Sequence, residues 1–203
     1  MTCITSLAEL EALFGPVGEA SLRKQTAHLP PVYQAMVAAS PFVVLSTVGP
    51  AGLDASPRGD PPGFVKVQDA TTLLLPERRG NNRIDSLRNI VADPRVGLLF
   101  LIPGVGETLR VNGTARIRTD AALLEQFLMQ GSPPKCVLEI TVQEVFFQCA
   151  RAIHRSQLWQ PLGPEVLKAV PTAGQVLAAL TDHEVGGAAY DESLPERQRK
   201  TLY

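Results

Sequence analysis

The 203-residue chain carries a formal net charge of −1 and has an isoelectric point near 6.3, so no whole-protein field draws it to nucleic acid or to an anionic membrane. Apolar residues make up 45% of it, yet no uncharged apolar run reaches the roughly 18 residues of a membrane span, and a chain of this length fits one domain. Three scattered cysteines, Cys3, Cys136 and Cys149, form no C-x-x-C pair, which argues for reduced thiols and against a disulfide framework or a metal site.

The opening MTCITSLAELEALFG contains two glutamates and no basic n-region, so it does not read as a secretory signal, and a soluble, cytoplasmic protein is expected. Ser6, with Glu9 three residues on and Leu7, Leu10 and Leu13 behind it, predicts a capped helix that stops at Gly15-Pro16. A second helical pattern covers about 19–28. After the break at Pro30-Pro31, Tyr33, Met36 and Val37 predict a short helix before Ser40-Pro41. Residues 1–40 are therefore read as an N-terminal helical segment.

The character then changes. FVVLSTV at 42–48, a GPAG turn and a strand at 53–56 predict a hairpin, and 64–67 with 71–75 repeat the pattern. After PERRGNNRIDSL (76–87), Ile84, Leu87, Ile90 and Val91 predict one apolar helix face ending at Asp93-Pro94. A strand at 96–102 precedes the cleanest alternation in the chain. There Leu109, Val111, Gly113, Ala115 and Ile117 oppose Thr108, Arg110, Asn112, Thr114, Arg116 and Arg118, predicting one buried and one polar face. A helix is expected over 121–130. Leu138, Ile140 and Val142 alternate until the phase slips at Glu144, which predicts a bulge or bend. Short helices separated by Pro161, Pro164, Pro171 and Pro195 follow. Six or seven short strands with interspersed helices indicate an α+β protein, a small antiparallel β-barrel over 41–160 with a helical extension over 161–203 packed on the same domain.

The stretch PERRGNNRIDSL is the strongest local signal for chemistry. Asn82 is read as an N-cap, Asp85 as the third helical residue reaching back as in a capping box, and Arg83 as part of the first turn. A helix N-terminus favours a phosphate by roughly 0.3 to 2 kcal/mol. Arg83 adds positive charge where the dipole is already positive, a conflict that an anion would resolve. At this level a phosphate site and a solvated arginine-rich loop both remain open. In DASPRGDPPG (54–63), Arg58 ends a strand beside glycines and prolines that let a ligand approach the backbone; an ordinary surface loop is the alternative. Thr108 and Arg110 occupy the polar face of the alternating strand. Arg155 and the only tryptophan, Trp159, lie one helical turn apart, with a core role as the alternative for Trp159.

Other motifs are absent. Gly104-Val105-Gly106 lacks the rest of a dinucleotide fingerprint, His28, His154 and His183 are far apart, and there is no phosphate-binding G-x-x-x-x-G-K-[ST], H-E-x-x-H or G-x-S-x-G. Binding of single-stranded nucleic acid would need a basic groove and stacking aromatics, which the composition does not provide.

Together STVGPAGLDASPRGDPPGFVKV, LLLPERRGNNRIDSLRNIVADPRVGLLFLIPG and ETLRVNGTARI resemble the pyridoxamine 5'-phosphate oxidase-like flavoproteins, and within them a bacterial FMN-dependent subgroup. The resemblance runs from about 42 to 159. It implies an FMN-binding split barrel, a homodimer with two FMN molecules at the subunit interface. It further implies that Ser56, Pro57 and Arg58, then Asn81, Asn82 and Arg83, hold the FMN phosphate, and that Leu75, Pro76 and Glu77 line the flavin. Thr108, with Arg110 two residues on, takes the polar strand position, and Arg155 and Trp159 serve the site from the partner subunit. Arg78 and Arg79 are assigned to the rim. The implied activity is an FMN-dependent oxidoreductase moving a hydride or two electrons to or from a small-molecule substrate. The alternative is a non-catalytic flavin, haem or deazaflavin binding protein of the same fold. Two departures stand out. The family's second basic residue at the helix start is Asn82 here. The chain also continues past Trp159 without the arginine- and histidine-bearing segment that reads the substrate phosphate in pyridoxamine phosphate oxidases proper, so the resemblance does not carry that activity.

Overall fold

The computed structural model describes residues 3–203; Met1 and Thr2 of the predicted N-terminal segment lie outside them. Helix α1 (Leu7–Phe14) starts where the Ser6 hydroxyl accepts from the Glu9 amide at 3.3 Å and stops at Gly15, as its cap residues predict. Helix α2 (Glu19–Arg23) is shorter than the 19–28 pattern. Thr26 leaves the helix to exchange backbone hydrogen bonds with Val145, so a long-range pairing overrides the local propensity. Helix α3 (Pro31–Ala39) opens on a proline at its first position and buries Tyr33 and Val37.

Two hairpins follow, β1 (Phe42–Gly49) with β2 (Gly52–Gly59) and β3 (Lys66–Asp69) with β4 (Thr72–Glu77). Helix α4 (Asp85–Ala92), β5 (Arg95–Leu101), β6 (Thr108–Arg118), α5 (Ala121–Glu125) and β7 (Cys136–Gln148) complete the barrel region. The seven strands form one antiparallel sheet in the order β2-β1-β5-β6-β7-β4-β3. This is the expected α+β split barrel. Alternation sets its interior: Val43 and Leu45, Leu73 and Leu75, Leu98 and Phe100, Leu109 and Val111, and Leu138 and Ile140 point into one core. Leu29, Tyr33 and Val37 close one side of it and Ile90 of α4 another. Each fully buried side chain of this size contributes roughly 1.5 to 3 kcal/mol.

The predicted slip in the last strand is a β-bulge. Asn112 pairs with Glu144 and Gly113 with Val142, leaving Gln143 over. A Cβ at Gly113 would overlap the Thr141 carbonyl oxygen, so the backbone approach at the bulge requires glycine.

Three expectations are corrected. The helix over 121–130 ends at Glu125, because Gln130 and Gly131 take positive φ and Met129 bridges to Ser132 across a tight turn. The strand at 64–67 begins only at Lys66. On α4, Ile90 is buried and Leu87 packs against the core, but Ile84 precedes the helix and Val91 points to solvent.

The C-terminal part holds α6 (Arg151–Ser156), α7 (Pro164–Ala169), α8 (Ala173–Leu180) and α9 (Gly187–Lys200). A reciprocal capping box between Thr172 and Gln175 starts α8, and Asp191 of α9 accepts from the Gly174 amide at 2.7 Å. The chain then returns to the barrel, where the Tyr203 hydroxyl donates to Asp60 at 2.6 Å. No described helix is long and apolar enough to cross a membrane.

Candidate cofactor site

Alternation along β2 turns Asp54, Ser56 and Arg58 to one side. Strands β2 and β4 stand first and sixth in the sheet, yet Arg58 Nε donates to Glu77 Oε2 at 3.0 Å, so the sheet curls until its two ends meet through side chains. A cavity of about 610 Å³ opens beside this ion pair. Its walls come from β2, the end of β4 with the loop after it, the first turn of α4, and Lys135-Cys136 at the start of β7.

The donors facing the cavity are tightly organised. Arg58 Nη2 donates to the Ser86 hydroxyl at 3.3 Å and Nη1 to the Pro57 carbonyl at 2.9 Å. Ser56 and Ser86 both donate to Asp54 Oδ2, at 2.9 and 2.6 Å. The Arg58 and Glu77 side chains are about four-fifths buried, which leaves the guanidinium little freedom and places its charge where water screens it poorly.

The entry to α4 differs from its expected form. The helix begins at Asp85, with Ile84 as N-cap at φ 54° and ψ 27°, and Asn82 is also left-handed at φ 59°. Asn82 is therefore not the cap, Asp85 is the first helical residue, not the third, and Arg83 precedes the first turn. No described side chain caps this N-terminus, so its first amides face the cavity without a protein acceptor. A β-branched residue in the left-handed region is strained, and such strain clusters at functional sites.

The arginines separate clearly. Arg83 donates through its backbone N–H to Asn81 Oδ1 at 3.1 Å and through Nε to Asp85 Oδ2 at 2.8 Å, and its side chain is 74% exposed. The Asp85 carboxylate raises its pKa. Arg78 is not a rim residue: it is mostly buried, with Nε on the enclosed Asp60 carboxylate at 2.8 Å and Nη1 on the Phe127 carbonyl at 2.7 Å. Arg79 is exposed and, among the described residues, forms no ion pair. Burial pushes the Cys136 thiol up to about 11; nearby Glu77 adds to the shift and Arg58 opposes it.

Ser56, Pro57, Arg58, Glu77, Asn81, Asn82 and Arg83 thus share one cavity. Leu75 and Pro76 do not line it: both are buried in β4, opposite Leu138 and Val137. The buried Thr108 pairs with Gln148 at 3.3 Å, and Arg110 bonds Glu144 at 3.2 Å and covers the Phe146 ring at 4.3 Å. Trp159 Nε1 donates to the Val105 carbonyl at 2.7 Å beside a separate cavity that His154 also lines, and Arg155 is exposed at the end of α6. Asp54, Ser86, Lys135 and Cys136 line the first cavity without having been singled out in the sequence. Period-two spacing from Ser56 and Arg58 points to Asp54. Lys135 and Cys136 arrive only through the β4–β7 pairing, where Glu77 faces Cys136.

The Pyridoxamine 5'-phosphate oxidase family model matches residues 29–149. The chain belongs to that family. The matched segment contains the whole seven-stranded sheet up to Gln148 and both strands that carry the Arg58–Glu77 pair; helices α6 to α9 lie beyond it. No curated protein matches the chain. Among solved structures, it is similar to a putative pyridoxamine 5'-phosphate oxidase from Lactobacillus delbrueckii, with 23% identity, a TM-score of 0.46, and coverage of 60% of this chain and 95% of that one. It is similar to HupZ of Group A Streptococcus at 22% identity and a TM-score of 0.46, over 57% and 90% of the two chains. An FMN-binding protein from Syntrophomonas wolfei shares 10% identity at a TM-score of 0.45, over 56% and 82%. Among the described residues, no group of three or more His, Cys, Asp or Glu could hold a metal ion.

Proposed function

We propose that this family member is an FMN-binding flavoprotein, a cytoplasmic FMN-dependent oxidoreductase acting by two-electron transfer on a small-molecule substrate. The observation that carries the reading is the convergence of Arg58, Ser86 and the uncapped α4 N-terminus on one cavity.

The donor set fits the phosphate end of FMN. A phosphate only accepts hydrogen bonds, and the cavity offers a guanidinium and free helix amides, joined by the Ser56 and Ser86 hydroxyls once they turn from Asp54. Its volume lies within the roughly 300 to 1,000 Å³ of small-molecule sites. Arg58, Ser56, Ser86, Asn81, Asn82 and Arg83 would hold the phosphate, with Glu77 flanking the ring system. Bound flavin would supply the redox chemistry through its N5 position, so the protein needs no nucleophile of its own. The task of the chain is placement: the Glu77 and Ser86 bonds hold Arg58 in orientation, and the strained 82–84 backbone keeps the amides aimed at one point.

Thr108, Arg110, Arg155 and Trp159 do not line this cavity. In the proposed homodimer they serve the flavin of a second copy. The test is direct: purified protein, or protein incubated with FMN, carries bound flavin at about one per chain. Protein that stays colourless overturns the reading. Reduction of the bound flavin by NADH or NADPH and its reoxidation by an acceptor separate an oxidoreductase from a carrier.

A further inference from the structure

A second cavity of about 330 Å³ adjoins the first, and Arg78, Arg79, Asn82 and Lys135 line both. Pro133, Pro134 and Tyr203 form much of its remaining wall. The two differ in charge. The first sets Asp54, Glu77 and Asp85 against its cations, whereas no Asp or Glu side chain lines the second. Arg78 is balanced from behind the wall by Asp60, but Arg79 and Lys135 have no ion-pair partner among the described residues. Unmatched cations in one concavity create a positive potential that an anion would relieve.

Tyr203 lies outside the family-matched segment, which ends at residue 149. Its hydroxyl is tied to Asp60 at 2.6 Å and its ring lies 5.6 Å from the Arg78 guanidinium. The bond to Asp60 raises the Tyr203 pKa, so the hydroxyl keeps its proton and the tether. The compartment is thus completed by a C-terminal wall that the matched segment does not include.

We infer that this second compartment binds the oxyanion, carboxylate or phosphate, of a small organic ligand. Arg79 and Lys135 are its charge partners, and the proline and tyrosine rings form the apolar wall for its body. That this ligand lies beside a flavin rests on the reading of the first cavity given above. Its volume suits a ligand the size of a substituted benzoate.

The test titrates the FMN-loaded full chain with benzoate and, separately, with inorganic phosphate, by calorimetry. At least one probe saturates; which one does assigns the oxyanion. The double variant Arg79→Gln/Lys135→Met weakens that probe at least about tenfold, and weakens it more than it weakens FMN. Tyr203→Leu, which removes the ring and its tether, weakens benzoate more than phosphate. The inference is overturned if neither probe saturates, if the double variant binds both as the parent does, or if the double variant loses FMN as strongly as the probe. If the chain takes up no FMN, the same titrations on flavin-free protein separate the two readings. Probe binding that depends on Arg79 and Lys135 then keeps the compartment while the flavin assignment fails; its absence overturns both.

Discussion

Arg58 of β2 and Glu77 of β4 meet at 3.0 Å, although four strands, β1, β5, β6 and β7, separate their strands in the order of the sheet. The pair fastens the curled sheet and holds a guanidinium at the cavity wall. Because both side chains are largely buried, this charge is presented to a ligand at low water content, where a charge-assisted bond is strongest.

Arg58 and Arg83 therefore differ as phosphate partners. Arg58→Ala is expected to lower FMN affinity by roughly 1.5 to 3 kcal/mol, about ten- to a hundredfold. Arg83 is exposed and already paired with Asp85, so Arg83→Ala is expected to weaken FMN binding less than Arg58→Ala does. Flavin fluorescence titration of the two variants measures the difference, and equal losses would contradict this ranking.

Glu77 competes with any anion for Arg58. Glu77→Gln keeps the shape, removes the negative charge, and is expected to tighten FMN binding by a few-fold, on the order of 0.5 to 1 kcal/mol. The same titration reads it. Weaker binding in this variant would mean that the hold of Glu77 on Arg58 outweighs its competition with the anion.

Much of this was legible in the sequence, for reasons that differ by residue. The strict alternation of 108–118 placed β6 with Leu109 and Val111 inside, and the phase slip near Glu144 marked the bulge opposite Gly113. The helix start is not legible in the sequence because Asn is a good cap by propensity, while left-handed Asn82 and Ile84 delay the first turn to Asp85. Arg78 looked like a surface charge in an arginine-rich loop. Its burial depends on Asp60, Phe127 and Tyr203, which only the tertiary fold brings together.

Gly113→Ala tests the bulge. An added Cβ collides with the Thr141 carbonyl, part of the backbone and unable to step aside, so the variant is expected to lose about 1 to 3 kcal/mol. Urea unfolding of parent and variant measures this, and an unchanged midpoint would refute the close approach.

Cys136 links stability to alkaline pH. Its thiol is raised from 9.0 to about 11 in the folded chain. Below the lower value the thiol is protonated in both states and its contribution is complete. As pH rises toward the upper value the unfolded chain gives up the proton first, so stability falls. Cys136→Ala should flatten this decline between about pH 9 and 11, read by urea unfolding at several pH values. In the folded parent Cys136 should also alkylate more slowly than the exposed Cys3 and Cys149.

The central claim is that the cavity between β2, β4 and α4 holds FMN through Arg58. The most direct measurement is an equilibrium titration of flavin-free protein with FMN, followed by flavin fluorescence, for the parent and Arg58→Ala side by side. Saturation near about one FMN per chain in the parent, with affinity reduced at least about tenfold in the folded variant, is the result predicted. No saturable binding in the parent, or equal affinity in the two proteins, would contradict it.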